Sequence, residues 1–385
     1  MRAGAGISAD ADPRAGAIAA ARDAARALNG ADVDLAVVFA AGAHLAAAEV
    51  TLENVAAELR PGALIGCGAG GVLGAGRELE AGTAVSVWAA SLREGSARPF
   101  HAVVTEMAGG GMLEGMPQPS AGGALIMLTD PYSFPMDAVL DGLARDAPGV
   151  PVLGGLSSGR TPDAAAALFA DDEVHDAGAV GVCLEGVEML PCVSQGAAPL
   201  GREMTITAAE GNVIHELAGR PAVQAIEEAI AELPTAERVL VAAGLLIGIV
   251  IDGGKPEYEQ GDFLVRGALG ADTDTGAIAV GAGVGTGQII RLHARDAESA
   301  GEDLRRALGL RALASGSAPP AGALVFSCNG RGQAMFGARD HDAGLVDEVL
   351  GGAPAAGFFA AGEVGPVGGR SFVHGFTATV AVFPR

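Results

Sequence analysis

Apolar and polar positions along the chain fall into one order three times: an apolar strand, a helical stretch, a strand ending in Gly-x4-Gly, a turn region and a further apolar strand. The first copy runs from Leu35-Ala-Val-Val-Phe39, through a helix near residues 45–59, to Leu64-Ile65-Gly66 and Gly71, then Val85-Ser-Val-Trp88. The second runs from Leu125-Ile-Met-Leu128, through residues 136–144, to Val152-Leu153-Gly154 and Gly159, then Val180-Gly-Val-Cys183. The third runs from Leu324-Val-Phe326, through residues 341–350, to Ala356-Gly357 and Gly362, then Thr377-Ala-Thr-Val380. In a chain with 60 glycines one such match carries little. Three in the same order read as duplicated α/β units, and the first and last copies also share the next glycine, Gly74 and Gly365.

The strands after these loops alternate small and large residues, as antiparallel strands do when one face is covered. The expected fold class is therefore α/β (α+β): two domains of duplicated strand-helix-strand-strand units, with mixed or antiparallel sheets covered by helices. Residues 221–233 and 299–308 carry apolar positions at helical spacing (Ala222, Ile226, Ile230, Leu233; Leu304, Leu308) with acids opposite, and read as covering helices. The first 30 residues begin polar and continue as an Ala/Arg helix over about residues 15–28. A polar, Gly/Pro-bearing passage at residues 194–202 marks the domain boundary, giving domains 30–200 and 201–385, while the Ser/Gly/Pro-rich residues 315–321 read as a loop within a domain. The longest apolar run, residues 239–251, is shorter than the roughly 20 residues that cross a bilayer and reads as a buried strand pair or core element.

Composition narrows the function classes. Half of the 385 residues are apolar, 18% are charged and the formal net charge is −22, which describes an acidic globular chain. Without a Lys/Arg cluster it cannot displace counterions from a phosphate backbone, so nucleic acid is not an expected partner. Nor is a membrane. Cys67, Cys183, Cys192 and Cys328 are widely spread and lack Cys-x-x-Cys spacing, so reduced thiols are expected. The N-terminal residues 1–13 carry two aspartates and no apolar core of a secretory signal, which points to the cytoplasm.

Several motifs have a plainer alternative. Gly66-Cys67-Gly68-Ala69-Gly70-Gly71 has the spacing of a dinucleotide fingerprint, but no amphipathic helix follows to receive phosphate, so it reads as a glycine-rich turn and no cofactor is expected. Gly155-Leu156-Ser157-Ser158-Gly159 matches the nucleophile elbow of hydrolases. An elbow needs its helix at once, whereas Thr161-Pro162-Asp163 reads as a cap and helix start placed late. A hydrolase using Ser157, with Asp252 and His293 or His374 as partners, or an enzyme using Cys328, remains the alternative. The seven histidines show no metal-ligand spacing. Asp272-Thr-Asp274-Thr-Gly276 lacks the later ligands of a calcium loop and reads as a turn, and Gly281, Gly283, Gly285 and Gly287 read as a sharply bent strand.

The C-terminal unit concentrates polar groups at strand ends: Ser327-Cys328-Asn329-Gly330-Arg331-Gly332, then Gly362-Glu363-Val364-Gly365-Pro366. Arginine pairs bidentately with a carboxylate and glutamate accepts from an ammonium, so these loops suit a small zwitterion; the competing reading is an internal Arg331–Glu363 salt bridge. These residues, with Gly357-Phe358-Phe359-Ala360-Ala361-Gly362 and the final Phe376-Thr377-Ala378-Thr379, resemble the C-terminal half of the FIST family, whose signature is a Cys-x-Gly-Arg-Gly loop followed by a Gly-Phe-x-x-x-Gly-Glu-Ile/Val-x-Pro loop. Leu64-Ile65-Gly66-Cys67 and the Gly154 to Gly159 loop resemble its N-terminal half, so that the resemblance covers roughly residues 30–385. It implies a sensor of small ligands such as amino acids in signal transduction, without catalysis, and with a signalling protein as partner. The expected ligand-binding residues are Cys328, Asn329, Arg331, Gly332 and Glu363, together with Cys67, Ser157 and Ser158. Thiol titration of the denatured, unreduced protein is expected to count four free thiols; a count of two would mean a disulfide.

Overall fold

The first glycine of each Gly-x4-Gly loop has a steric cause in the computed structural model, which describes residues 1–107, 110–258 and 260–385. At each of these points a strand passes its neighbour too closely for a side chain. A Cβ on Gly66, Gly154 or Gly357 would stand 2.2, 1.8 or 1.9 Å from the carbonyl oxygen of Val38, Met127 or Val325. No real Cβ tolerates such a contact, so the backbone would have to move.

The chain opens with β1 (Arg2–Ser8) and α1 (Pro13–Arg26). Asp12 caps α1 by accepting from the amides of Arg14 and Ala15, with Pro13 at the first helical position. The first α/β unit comprises β2 (Leu35–Ala41), α2 (Ala43–Ala46), α3 (Ala48–Leu59), β3 (Leu64–Gly68), the hairpin of β4 (Val72–Gly74) and β5 (Arg77–Leu79), and β6 (Ala84–Ser91). A hairpin of β7 (Ser96–Met107) and β8 (Gly110–Glu114) leads to the second: β9 (Ala124–Thr129), α4 (Met136–Asp146), β10 (Val152–Leu156), the hairpin of β11 (Leu168–Ala170) and β12 (Glu173–His175), and β13 (Ala179–Glu185), followed by β14 (Leu190–Gln195).

The intervening segment holds β15 (Ala197–Glu210), β16 (Val213–Leu217), β17 (Arg220–Pro221), α5 (Ala222–Glu232), α6 (Thr235–Ala243), β18 (Leu245–Val250), β19 (Phe263–Asp272), β20 (Ala277–Val280) and β21 (Ile289–Arg295). After α7 (Ala297–Ala314) comes the third α/β unit: β22 (Gly322–Cys328), α8 (Gln333–Phe336), α9 (His341–Val349), β23 (Ala355–Ala360), the hairpin of β24 (Glu363–Val367) and β25 (Arg370–His374), and β26 (Thr377–Phe383).

The three units share one pairing scheme. The first and second strands run parallel (β2 with β3, β9 with β10, β22 with β23), and the last strand lies antiparallel to the first (β6, β13 and β26). The hairpin between them leaves home: β4 pairs with β23, β11 with β3, and β24 with β10. Each unit thus gives its hairpin to one neighbour and receives one from the other, and the exchange closes after three steps. The inner faces of all three sheets form a common core, in which Phe39 stacks on Phe358 at 5.0 Å and Phe326 meets both edge-on. The outer faces are covered by helices, Ala17, Ala20, Ala21 and Ala24 of α1 letting it lie close to the first sheet.

The fold is mixed α/β as expected, but partner choice divides the chain differently from the domains 30–200 and 201–385. Residues Met1–Val193, Leu304–Val373 and Ala378–Arg385 form one compact unit, because the exchanged hairpins bind the third α/β unit to the first two. Residues Ser194–Asp303 with His374–Thr377 form the other. In it, β15, β21, β18, β19, β20 and β16 pair successively and β16 pairs back to β15, so six strands close a ring without a free edge. Ala222, Ala225, Ile226 and Ala229 of α5 bury against it.

Four local expectations change. Residues 281–287 are a loop between β20 and β21, since alternate glycines leave a strand nothing to pack. Residues 239–251 are the end of α6 followed by the single strand β18. The Thr161-Pro162-Asp163 stretch starts no helix: Ala164 takes φ +63° and its amide donates back to the Thr161 carbonyl, closing a turn. The polar beginning is strand β1, whose Ala/Gly composition hides the usual β-branched signal. Among the described residues no helix is long and apolar enough to cross a membrane.

Gly357→Ala is expected to destabilise the protein by about 3 kcal/mol or more, the upper range for forcing atoms into a packed core. Gly344→Ala, on α9 where a Cβ would meet nothing within 4 Å, should be neutral or stabilising by up to about 1 kcal/mol. Denaturant unfolding of both variants checks the contrast; equal costs would remove the close-approach argument.

Candidate functional site

The site forms where β22 ends. Asn329 donates its amide to the Ala360 carbonyl of the parallel neighbour at 2.8 Å, and Arg331 donates its amide back to the Cys328 carbonyl at 2.8 Å. The Gly330 amide lies 3.5 Å from the Cys328 Sγ. This tight turn sends the Arg331 side chain inward, where the residue is 2% exposed. Its Nε and Nη2 donate to Oδ2 and Oδ1 of Asp342 at 2.6 and 2.9 Å, a bidentate pair with the first turn of α9. Asp342 also accepts from the Ser327 hydroxyl at 2.7 Å and meets His341 Nδ1 at 2.9 Å. Burial alone would raise the Asp342 carboxyl, but the Arg331 charge and these hydrogen bonds outweigh it and hold the group well below the usual carboxylate range. His341 stacks on Phe336 at 3.5 Å, and the Arg331 guanidinium stands 5.1 Å from the same ring.

Arg331 has a third donor. Its Nη1 is buried and has no hydrogen-bond partner among the described residues. Glu363, fully buried at the start of β24 opposite Gly155, and Cys328 are both electrostatic neighbours of this guanidinium. The hydrogen-bonded carboxylate of Arg331 is therefore Asp342 rather than the Glu363 of the competing salt-bridge reading. The helical spacing of residues 341–350 placed Asp342 on α9 but could not show which strand end it faces. Gly332, at φ +121°, is pressed by Glu80, which accepts from the Gln333 amide at 2.8 Å.

A second residue of the exchanged hairpin completes the surroundings. α9 has no side-chain cap of its own, and Glu78 of β5 supplies one, its Oε1 accepting from the Ala343 amide at 2.9 Å while its own amide donates to Asp340 Oδ1 at 2.6 Å. Burial, reinforced by the charges of Asp342 and Glu80, pushes the Glu78 carboxyl up to about 7. Sequence reasoning passed over Glu78 because it lies more than 260 positions from the helix it caps.

The remaining expected residues lie elsewhere in the same compact unit. Ser157 donates its hydroxyl to the carbonyls of Gly68 and Gly159 at 2.7 and 3.2 Å. Ser158 donates to the Phe359 carbonyl and accepts from the Gly70 amide. With Leu156 and Ala361 bonding to Gly362 and Leu156, and Phe359 to Gly71, these groups clasp the three Gly-x4-Gly loops to one another. Neither the serine-base contact nor the helix of a nucleophile elbow is present at Ser157. Cys67 is a fully buried core residue of β3, its thiol pushed far up by burial. Of the two histidines that the hydrolase alternative offers Ser157, His293 fills the space left by Gly248 in the other compact unit, where burial lowers it to about 4. All four cysteines are buried and outside any disulfide. Among the described residues no three His, Cys, Asp or Glu side chains are grouped to hold a metal ion.

Comparison with known proteins covers nearly the whole chain. The FIST N domain matches residues 34–220 and the FIST C domain residues 222–366. An uncharacterized protein of Mycobacterium tuberculosis (strain H37Rv) is 43% identical over 384 residues, covering all of both chains. An uncharacterized protein of Mycobacterium bovis is 41% identical over 384 residues, covering all of this chain and 99% of its own.

The raised Glu78 carboxyl fixes the sign of a pH effect. Between about 4.5 and about 7 the folded protein binds the Glu78 proton more tightly than the unfolded chain, so stability falls as pH rises through this window and the penalty is complete above it. Glu78→Gln keeps an acceptor for the Ala343 amide without the charge. It is expected to be more stable than the wild type at pH 8, by on the order of 2–3 kcal/mol, with the advantage gone at pH 5. Denaturant unfolding at both pH values measures this; a difference independent of pH would contradict it.

Proposed function

The chain belongs to the FIST family, an N domain followed by a C domain, and from that premise we propose that it is a sensory protein of signal transduction that binds a small molecule at the Arg331 cluster. FIST domains are associated with sensory signalling, which gives the class. The ligand reading rests on one observation, the buried Arg331 Nη1 without a protein partner. A buried donor left unmade costs about 1–3 kcal/mol, more when charged, and a ligand carboxylate would recover it.

The ligand class is an amino acid or a similar metabolite. Its carboxylate meets Arg331 Nη1, and the Glu363 carboxylate attracts its ammonium. Asn329, Gly332 and Cys328 shape the turn that aims the guanidinium. The ion pair with Asp342 fixes the guanidinium plane before the ligand arrives, so little orientation remains to be lost on binding. Ser157 offers no support for the hydrolase alternative, because its hydroxyl is engaged with two carbonyl oxygens. The protein acts in the cytoplasm, where its four thiols stay reduced, and a signalling protein reads the occupied state.

Arg331→Ala is a poor test, because it strands the buried Asp342 charge and is expected to cost about 3–5 kcal/mol. Arg331→Lys keeps a positive charge beside Asp342 and removes the fork. In a thermal-shift screen of the wild type with the twenty L-amino acids, a ligand at about 100 times its dissociation constant adds roughly 2.7 kcal/mol of stability. At least one amino acid is expected to raise the melting temperature by several degrees, with no response from a folded Arg331→Lys protein. Silence across the panel, or an undiminished shift in the variant, would sink the reading.

A further inference from the structure

A cavity of about 610 Å³ lies between α4 and the β7–β8 hairpin, and none of its lining residues belongs to the Arg331 cluster. Its size falls within the roughly 300–1,000 Å³ of small-molecule sites. Val104, Leu113, Met116, Val139 and Leu143 supply apolar walls; Val104, Met116 and Leu143 pack at the rim of the buried cluster beneath. Among the described residues of this lining, Asp146 is the one that is charged. It is the last residue of α4, where the helix carbonyls add partial negative charge, and it lies on the same helix face as Val139, Gly142 and Leu143. Arg145 stands at the flank of that face, outside the lining, with its Nη2 3.9 Å from where a Gly142 Cβ would be.

We propose that this cavity is a binding site for an amphipathic organic cation, an alkyl or aryl body ending in a primary ammonium or guanidinium. The apolar walls take the body. The Asp146 carboxylate and the α4 C-terminus take the charge, and the same pair of features turns away a carboxylate of equal length. The net charge of −22 draws cations towards the protein in general, so selectivity has to be tested at the cavity itself.

The probes are octylamine hydrochloride, octanol and octanoate, titrated calorimetrically into the full-length protein at pH 7 below micelle-forming concentrations. Octylamine is expected to bind with one-to-one stoichiometry at least tenfold more tightly than octanol, and octanoate more weakly than either. Asp146→Asn should bring octylamine to the level of octanol and leave octanol unchanged. Gly142→Phe places a ring in the cavity at a helix position where a Cβ meets no atom closer than 3.9 Å, and should abolish binding of both. Because Phe is a better helix former than Gly, loss of binding in that variant, with an unchanged circular dichroism spectrum, is not loss of fold. The proposal is overturned by octanoate binding as tightly as octylamine, which would give the flanking Arg145 the leading part. Selectivity surviving Asp146→Asn, undiminished binding in Gly142→Phe, or no saturable binding to the wild type would overturn it equally.

Discussion

The larger compact unit depends on the exchange of three hairpins, β4–β5, β11–β12 and β24–β25, around a closed circle of strand pairs. Each parallel strand pair would otherwise present its second strand as an open edge, and an unpaired edge recruits other chains. Here the second strand is completed by a hairpin from another unit, so the three sheets share edges and a core. The glycines that open the Gly-x4-Gly loops belong to the same constraint, because they let the second strand press against the first. The serine hydroxyls and amides of the loops then bind the three crossings together.

The scheme is threefold, yet its chemistry is not. Counting from the close-approach carbonyls of Val38, Met127 and Val325, the position held by Arg331 in the third unit belongs to His44 in the first and Ser133 in the second. His44 is buried against Thr51 and the Asp10 carbonyl, and Ser133 donates to Asp130. Both are satisfied within the protein. Among the described residues Arg331 alone of the three carries a buried donor with no protein partner, so the backbone scheme repeats while the side chain at this position is satisfied in two copies and left open in one.

Much of this was legible from residue order. Local periodicity located the strands and most helices of the three units, and the Cys328 to Gly332 and Gly362 to Pro366 motifs marked the polar strand ends. What periodicity could not carry is the identity of distant partners. Glu78 and Ala343 meet because a hairpin of the first unit crosses to the third, and nothing near either residue announces it. Motif proximity leaves Arg331 open between a ligand carboxylate and Glu363, whereas the bidentate geometry selects Asp342, eleven positions along on the next long helix. Cys67 looked like a loop thiol because glycines surround it, but its strand is buried on both faces.

The circle of hairpins also sets a timetable for the nascent chain. Val72 of β4 pairs with Phe358 of β23, 286 positions further along, and that stretch must be translated first. At about 5–20 residues per second this takes on the order of 15–60 s. Throughout that interval β4 and β10 wait with unfilled pairing positions, and local contacts cannot substitute for them. The larger unit therefore acquires its cooperative stability only once the third unit has been translated, and a chain terminated before it would present the same open edges to chaperones and to its own copies.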